Sequence, residues 1–171
     1  MPKREDMLPA PLTGYALSKL AGEHYGRIFR GLYGLKFFAL RYFNVFGPRQ
    51  DPASHYAAVI PLFMRAYAAG RQPTIYGDGG QTRDFTFVED IVAANLACLS
   101  APESAAGGVY NVAYGDRVSV NELAAQIAAI IPAAPPPIII TLLMEYSPVF
   151  ILPCRLSISS WFHVSASLRS I

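Results

Sequence analysis

Tyr15 and Lys19 are the residues whose types and spacing point most directly to chemistry. Within Tyr15-Ala16-Leu17-Ser18-Lys19 they stand four apart, so in a helix they share one face, a turn from each other. That arrangement can hold an ammonium near a phenol and stabilise the phenolate. A free tyrosine has a pKa of about 10, and a neighbouring cation lowers it, giving a general base usable near neutral pH. The chain has 10 tyrosines, however, and a lysine four residues after one of them also arises as ordinary solvated helix surface. A substrate site elsewhere in the chain would decide between the two. Asn44 closes a short apolar run, where its amide can donate to a phosphate or carbonyl oxygen or simply cap a strand. Arg83 follows the turn Gly77-Asp78-Gly79-Gly80, and a guanidinium there can grip phosphate oxygens bidentately. An ion pair of Arg83 with Asp84 or Asp90 explains its position equally well.

These side chains need elements to position them. Pro9, Pro11 and Gly14 make a loop, and Thr13 is placed as a helix N-cap. Leu17, Leu20, Ala21, His24 and Ile28 recur at helical spacing to about Tyr33, with Gly34 ending the run. His24 on that face is expected to be a packed core histidine. Residues 36–43 are short, apolar and aromatic, as in a buried parallel strand. A helix followed by such a strand is half of a βαβ unit, so the expected class is α/β. Asn44 to Pro52 then lies at the carboxyl end of that strand, the edge where open α/β sheets bind ligands.

Further on, the pattern predicts a helix over 58–70 closed by Gly70, and a strand at Pro73-Thr74-Ile75-Tyr76. The glycine turn at 77–80 opens no helix, so it is not a dinucleotide fingerprint. A helix follows over Glu89 to Ser100, with Ile91, Val92, Leu96 and Leu99 on one face, and then a strand over 108–113. Ser119-Val120-Asn121-Glu122 is a capping box opening a helix to about Ile131.

Composition bounds the rest. The chain has 171 residues, 53% hydrophobic and 15% charged, enough for one domain with a real core. A net charge of +2 with scattered Lys and Arg lacks the basic stripe that nucleic acid would require. Cys98 and Cys154 form neither a disulfide framework nor a metal-ligand spacing, and Cys98 is expected to be a small core residue. Together with a polar start lacking a signal-peptide run, this suits a reducing, cytoplasmic setting. Residues 132–171 carry only Glu145, Arg155 and Arg169 as Asp, Glu, Lys or Arg charges, and prolines break their apolar patches too often for a membrane span. We expect this tail to be foreign to the fold, through a shifted reading frame or a terminal fusion.

Three stretches in order carry a family resemblance. They are Tyr15-Ala16-Leu17-Ser18-Lys19-Leu20-Ala21-Gly22-Glu23, then Leu40-Arg41-Tyr42-Phe43-Asn44-Val45-Phe46-Gly47-Pro48-Arg49-Gln50, and then Tyr76-Gly77-Asp78-Gly79-Gly80-Gln81-Thr82-Arg83-Asp84-Phe85 with Val88-Glu89-Asp90. Over residues 1–131 the chain resembles the extended short-chain dehydrogenase/reductases, specifically the NAD-dependent nucleotide-sugar epimerases and dehydratases of the UDP-glucose or UDP-N-acetylglucosamine 4-epimerase type. The resemblance implies a partial Rossmann-like fold without its N-terminal strands, joined to elements of the small substrate-binding domain.

By the same resemblance Tyr15 is the catalytic base, and Lys19 binds the nicotinamide ribose while lowering the tyrosine pKa. Tyr42 and Val45 lie near the nicotinamide. Asn44 and Arg83 hold the UDP diphosphate, while Ala58-Val59-Ile60-Pro61 and the backbone from Ile75 through Tyr76 to Gly77 frame the uracil and its ribose. The family reaction removes the proton of the sugar 4-hydroxyl while hydride passes from C4 to NAD. The keto sugar then turns over and hydride returns to its other face. Members pair as homodimers through the helix that bears Tyr15.

Departures are equally definite. No strand with a Gly-x-x-Gly-x-x-Gly turn precedes Tyr15, nor the family's catalytic Ser or Thr. Gly14 stands where Pro is usual, and the Pro-rich tail replaces an Arg-containing segment. The chain is thus expected to be a fragment of such an epimerase, binding no NAD and inactive by itself; a nucleotide-sugar 4,6-dehydratase, a UDP-glucuronate decarboxylase, or an inert truncated remnant are the alternative expectations.

Overall fold

A computed structural model of the chain describes residues 3–51 and 58–131. The tail 132–171, expected to stand apart from the fold, lies outside the described residues, as does Cys154.

The first helix, α1 (Gly14–Tyr33), begins and ends as its sequence dictates. The Thr13 hydroxyl accepts the Ala16 N–H at 3.1 Å. At the other end Gly34, at φ 67°, donates its N–H to the Arg30 carbonyl. Left-handed backbone is favourable there because glycine has no Cβ to clash.

The face of α1 is a correction. None of its residues is buried, His24 is exposed rather than packed, and Leu17 and Ile28 are 57% and 53% exposed. Helical periodicity marks a face built for contact, but the described residues cover it only in part, leaving Leu20 and Ala21 half-buried and the rest exposed. The helix is tied to its neighbours by charge and by the Phe37 ring, which lies against Gly26. Glu23 accepts two hydrogen bonds from Arg41, at 2.7 and 2.8 Å, and Arg30 pairs with Glu103 at 2.6 Å.

Three small sheets follow. β1 (Ala39–Tyr42) runs parallel to β5 (Val109–Val112), and β2 (Val45–Phe46) parallel to β4 (Thr86–Phe87). β3 (Thr82–Arg83) pairs antiparallel with β6 (Val118–Ser119). The α/β expectation is met, with β1 narrower than residues 36–43. The strand expected at Pro73–Tyr76 is absent. Pro73 has no N–H to give a ladder, and the Tyr76 carbonyl accepts the Gln81 side-chain amide at 3.1 Å, closing a local turn.

Helices α2 (Val59–Ala68), α3 (Val88–Ser100) and α4 (Val120–Ile130) complete the described architecture, with a short 3-10 turn at Glu103–Ala105. The core lies between α2, α4 and the β2–β4 pair, where Phe46, Phe63, Phe85, Leu123 and Ile127 meet. Phe46 and Phe85 stack edge to face at 6.5 Å. The capping box of α4 is formed in both directions: Ser119 Oγ accepts the Glu122 N–H, and Glu122 accepts the Ser119 N–H at 2.8 Å. On α3 only Ile91 is buried, while Val92, Leu96 and Leu99 are exposed. Cys98 is half-buried on that helix, and burial pushes its thiol pKa up. Among the described residues no helix is long and apolar enough to cross a membrane.

The Glu23–Arg41 pair gives this arrangement a pH signature. Hydrogen bonds from Arg41 hold the Glu23 carboxyl below its usual 4.5, against a smaller upward push from burial. A depressed carboxylate stabilises the fold above its unfolded value, and that contribution is lost as pH falls through the folded one. Glu23→Gln should therefore be less stable than the wild type near neutral pH, with the gap closing as pH falls below the usual glutamate value, in urea titrations run across that range.

Candidate substrate and cofactor site

Tyr15 and Lys19 occupy the first turns of α1, as their spacing predicts. The Lys19 ammonium lies over the Tyr15 ring, 5.1 Å from its centroid, and Tyr15 is 70% exposed. Its phenol makes no hydrogen bond among the described residues, so both groups are available to a ligand. Neither is hydrogen-bonded to Asn44 or Arg83.

Those two residues are brought together, across 39 residues of sequence, through Asp84. Asn44 lies between β1 and β2 with φ 24°, a region that Asn tolerates better than most residues. Its Nδ2 donates to the Asp84 carbonyl at 2.7 Å, and its own carbonyl accepts the Thr86 N–H at 3.3 Å. Arg83 is exposed on β3 and donates to the Thr82 carbonyl at 2.9 Å. The ion-pair alternative for Arg83 does not hold. Asp84 is turned to other partners, its two oxygens accepting the N–H groups of Tyr114 at 3.0 Å and Gly115 at 2.9 Å. Asp90 makes no ion pair with Arg83, and burial, helped by Glu89, pushes its carboxyl up. A guanidinium carries five donors, so Arg83 keeps most of its donor capacity for an anion.

The glycine turn is anchored independently. Gly77 and Gly79 have φ of 77° and 72°, and the Asp78 carboxylate accepts the Gly80 N–H at 2.9 Å. Asn121, on the first turn of α4, donates from Nδ2 to the Asp78 carbonyl at 2.9 Å and from its N–H to the Gly79 carbonyl at 3.1 Å. The start of α4 thus fixes the turn that delivers Arg83.

The remaining expected residues fall into two groups. Tyr42 ends β1, is 47% exposed, and donates its hydroxyl to Asn95 Oδ1 at 3.0 Å, while Val45 pairs with Thr86 in the ladder that follows Asn44. At the start of α2, the Ala58 carbonyl accepts the Leu62 N–H, and Val59 is half-buried against the core. Pro61 is buried there, so it shapes this end of the helix without presenting a surface. Ile75 packs on the same core, whereas Tyr76 is 83% exposed. Among the described residues no His, Cys, Asp or Glu side chains cluster in a metal-ligand arrangement.

Asp84, Asn95 and Asn121 were not legible as parts of this region. Asp84 stood out only as a partner for its neighbour Arg83. Nothing local in the sequence shows that two amide groups 30 and 31 residues later would take its carboxylate.

A sequence model described as the NAD dependent epimerase/dehydratase family matches residues 1–113. The chain belongs to that family. Among its relatives, a putative UDP-glucose 4-epimerase of Methanocaldococcus jannaschii is 43% identical over 113 residues, which are 66% of this chain and 35% of that protein. A UDP-N-acetyl-alpha-D-glucosaminuronate decarboxylase of Bacillus cytotoxicus is 43% identical over 96 residues, 56% of this chain and 29% of that protein. A solved UDP-N-acetylglucosamine 4-epimerase of Methanobrevibacter ruminantium, in complex with UDP-N-acetylmuramic acid, superposes with a TM-score of 0.72 at 45% identity. That match covers 76% of this chain and 41% of the other. This epimerase-family chain thus spans less than half the length of each of these three proteins.

The anchored turn makes a direct test of how Arg83 is delivered. In Gly79→Ala a new Cβ would run into the Asn121 side chain and would hold a left-handed φ. A left-handed φ alone costs about 1–2 kcal/mol. Chemical denaturation should show a loss of at least that size, and amide exchange should show Asn121 losing its protection.

Proposed function

We propose that the protein acts as an NAD-dependent UDP-hexose 4-epimerase, with Tyr15, Lys19, Asn44 and Arg83 as its contribution to the site. The observation that carries this reading is the hydrogen bond from Asn44 to Asp84, which sets an amide donor beside the segment bearing a guanidinium that makes no ion pair among the described residues. Amide and guanidinium donors on one short stretch suit a diphosphate, whose oxygens take charge-assisted hydrogen bonds. Ala58, Val59 and the Ile75–Gly77 backbone flank the uracil and ribose in this reading. Holding the substrate by its diphosphate leaves the hexose able to turn over, as inversion at one carbon requires.

The exposed phenol of Tyr15 and the ammonium of Lys19 fit the hydroxyl groups of a nicotinamide ribose, and Tyr42 and Val45 lie toward the nicotinamide. When bound, NAD supplies a centre that takes a hydride and gives it back. Tyr15 takes the proton of the sugar 4-hydroxyl, and Lys19 places its positive charge one turn away. The working assembly is a homodimer paired through α1, whose exposed Tyr25, Ile28 and Phe29 suit such a contact.

The decarboxylase relative favours a second reading within the same chemistry, a UDP-glucuronate decarboxylase or related dehydratase using the same diphosphate hold. Calorimetric titration of the 171-residue chain tests what the readings share. UDP should bind, and Arg83→Met should weaken UDP about tenfold or more while leaving uridine unchanged. Failure to bind UDP would favour an inert chain. In an assembly that turns substrate over, release of carbon dioxide from UDP-glucuronate would select the decarboxylase over the epimerase.

A further inference from the structure

The carboxylate of Asp84 takes no part in the chemistry assigned above, and its surroundings are unusual. Both of its oxygens accept backbone N–H groups from successive residues, Tyr114 at 3.0 Å and Gly115 at 2.9 Å. Gly115 has φ 92°, and consecutive amides turned to one side by such a residue form a small anion-holding nest. Here the anion is a side chain of the chain itself. The nest follows the end of β5, while Asp84 immediately follows Arg83, and its carbonyl receives the Asn44 amide at 2.7 Å. One residue therefore joins the loop after β5, the Asn44 corner after β1, and the strand that carries Arg83.

The ladder that otherwise fixes Arg83 is short: β3 and β6 pair over Thr82–Ser119 and Arg83–Val118 only. Two residue pairs restrain an exposed strand weakly, so the added bonds of Asp84 decide how tightly Arg83 is held relative to Asn44. We propose that Asp84 is a positioning residue for nucleoside-diphosphate binding, setting the spacing of the Arg83 guanidinium and the Asn44 amide through its carboxylate in the Tyr114–Gly115 nest. The proposal rests on the diphosphate reading of that pair and adds the device that holds it.

Asp84→Asn tests it with little change of shape. An asparagine turns an NH2 toward one of the two N–H donors, so at most one of the bonds survives. In the full 171-residue chain, UDP should bind about tenfold more weakly in Asp84→Asn, with uridine affinity unchanged. Because Asp84 acts through Arg83, the double variant Arg83→Met/Asp84→Asn should bind UDP within about twofold of Arg83→Met alone. The wild type offers a readout that needs no variant to fold: UDP, but not uridine, should slow hydrogen exchange at the Tyr114 and Gly115 amides, since the coupling is reciprocal.

Equal UDP affinity in wild type and Asp84→Asn would overturn the positioning role while leaving the diphosphate reading intact. So would parallel losses for UDP and uridine, an additive double variant, or exchange at Tyr114 and Gly115 indifferent to UDP. A wild-type chain that binds no UDP would instead overturn the diphosphate reading, and the positioning role with it.

Discussion

The stretch from Thr82 to Phe87 is fastened on every side, and the site depends on it. Its first two residues pair with β6 and its last two with β2. Between them the Asp84 carboxylate enters the Tyr114–Gly115 nest, its carbonyl takes the Asn44 amide, and Phe85 is buried in the aromatic core. Phe85 and Thr86 are both buried, at 7% and 1% exposure, whereas Thr82 and Arg83 are exposed. Backbone groups near a core must be satisfied somewhere, and here they are satisfied by the elements whose relative placement the site requires.

The same logic explains how the chain holds together where its apolar contacts are sparse. α1 presents Leu17, Tyr25, Ile28 and Leu32 to solvent, and its docking among the described residues rests on Glu23 with Arg41, Arg30 with Glu103, and the Phe37 ring lying against Gly26. Parallel strands such as β1 and β5 ordinarily lie between helical layers. Among the described residues the main buried cluster gathers around α2 and α4, while Ala39 of β1 and Val112 of β5 are buried apart from it.

Much of this was legible in the sequence because it is locally encoded. Thr13, Gly34 and the Ser119–Glu122 box mark helix ends by chemistry acting within a few residues, and each does so in the structure. The parallel strands at Ala39–Tyr42 and Val109–Val112 were readable from their apolar character, though their pairing was not. His24 and Pro73–Tyr76 misled for a shared reason: periodicity and β-propensity describe what a segment can pack against or pair with, not whether a partner is present. Arg83 and Asn44 stood out as candidates from residue type and from the resemblance, and the structure joins Asn44 to the residue after Arg83. The contacts of Asp84 were hidden, because they are hydrogen bonds to amides 30 and 31 positions away, which no local pattern records.

The central claim is that Asn44 and Arg83 form one diphosphate-binding unit. The structure of the chain crystallised with UDP tests it most directly. The account predicts the diphosphate within hydrogen-bonding distance of both the Arg83 guanidinium and the Asn44 amide, with the Asp84 carboxylate still seated on Tyr114 and Gly115. A diphosphate held elsewhere, or by only one of the two, would contradict it.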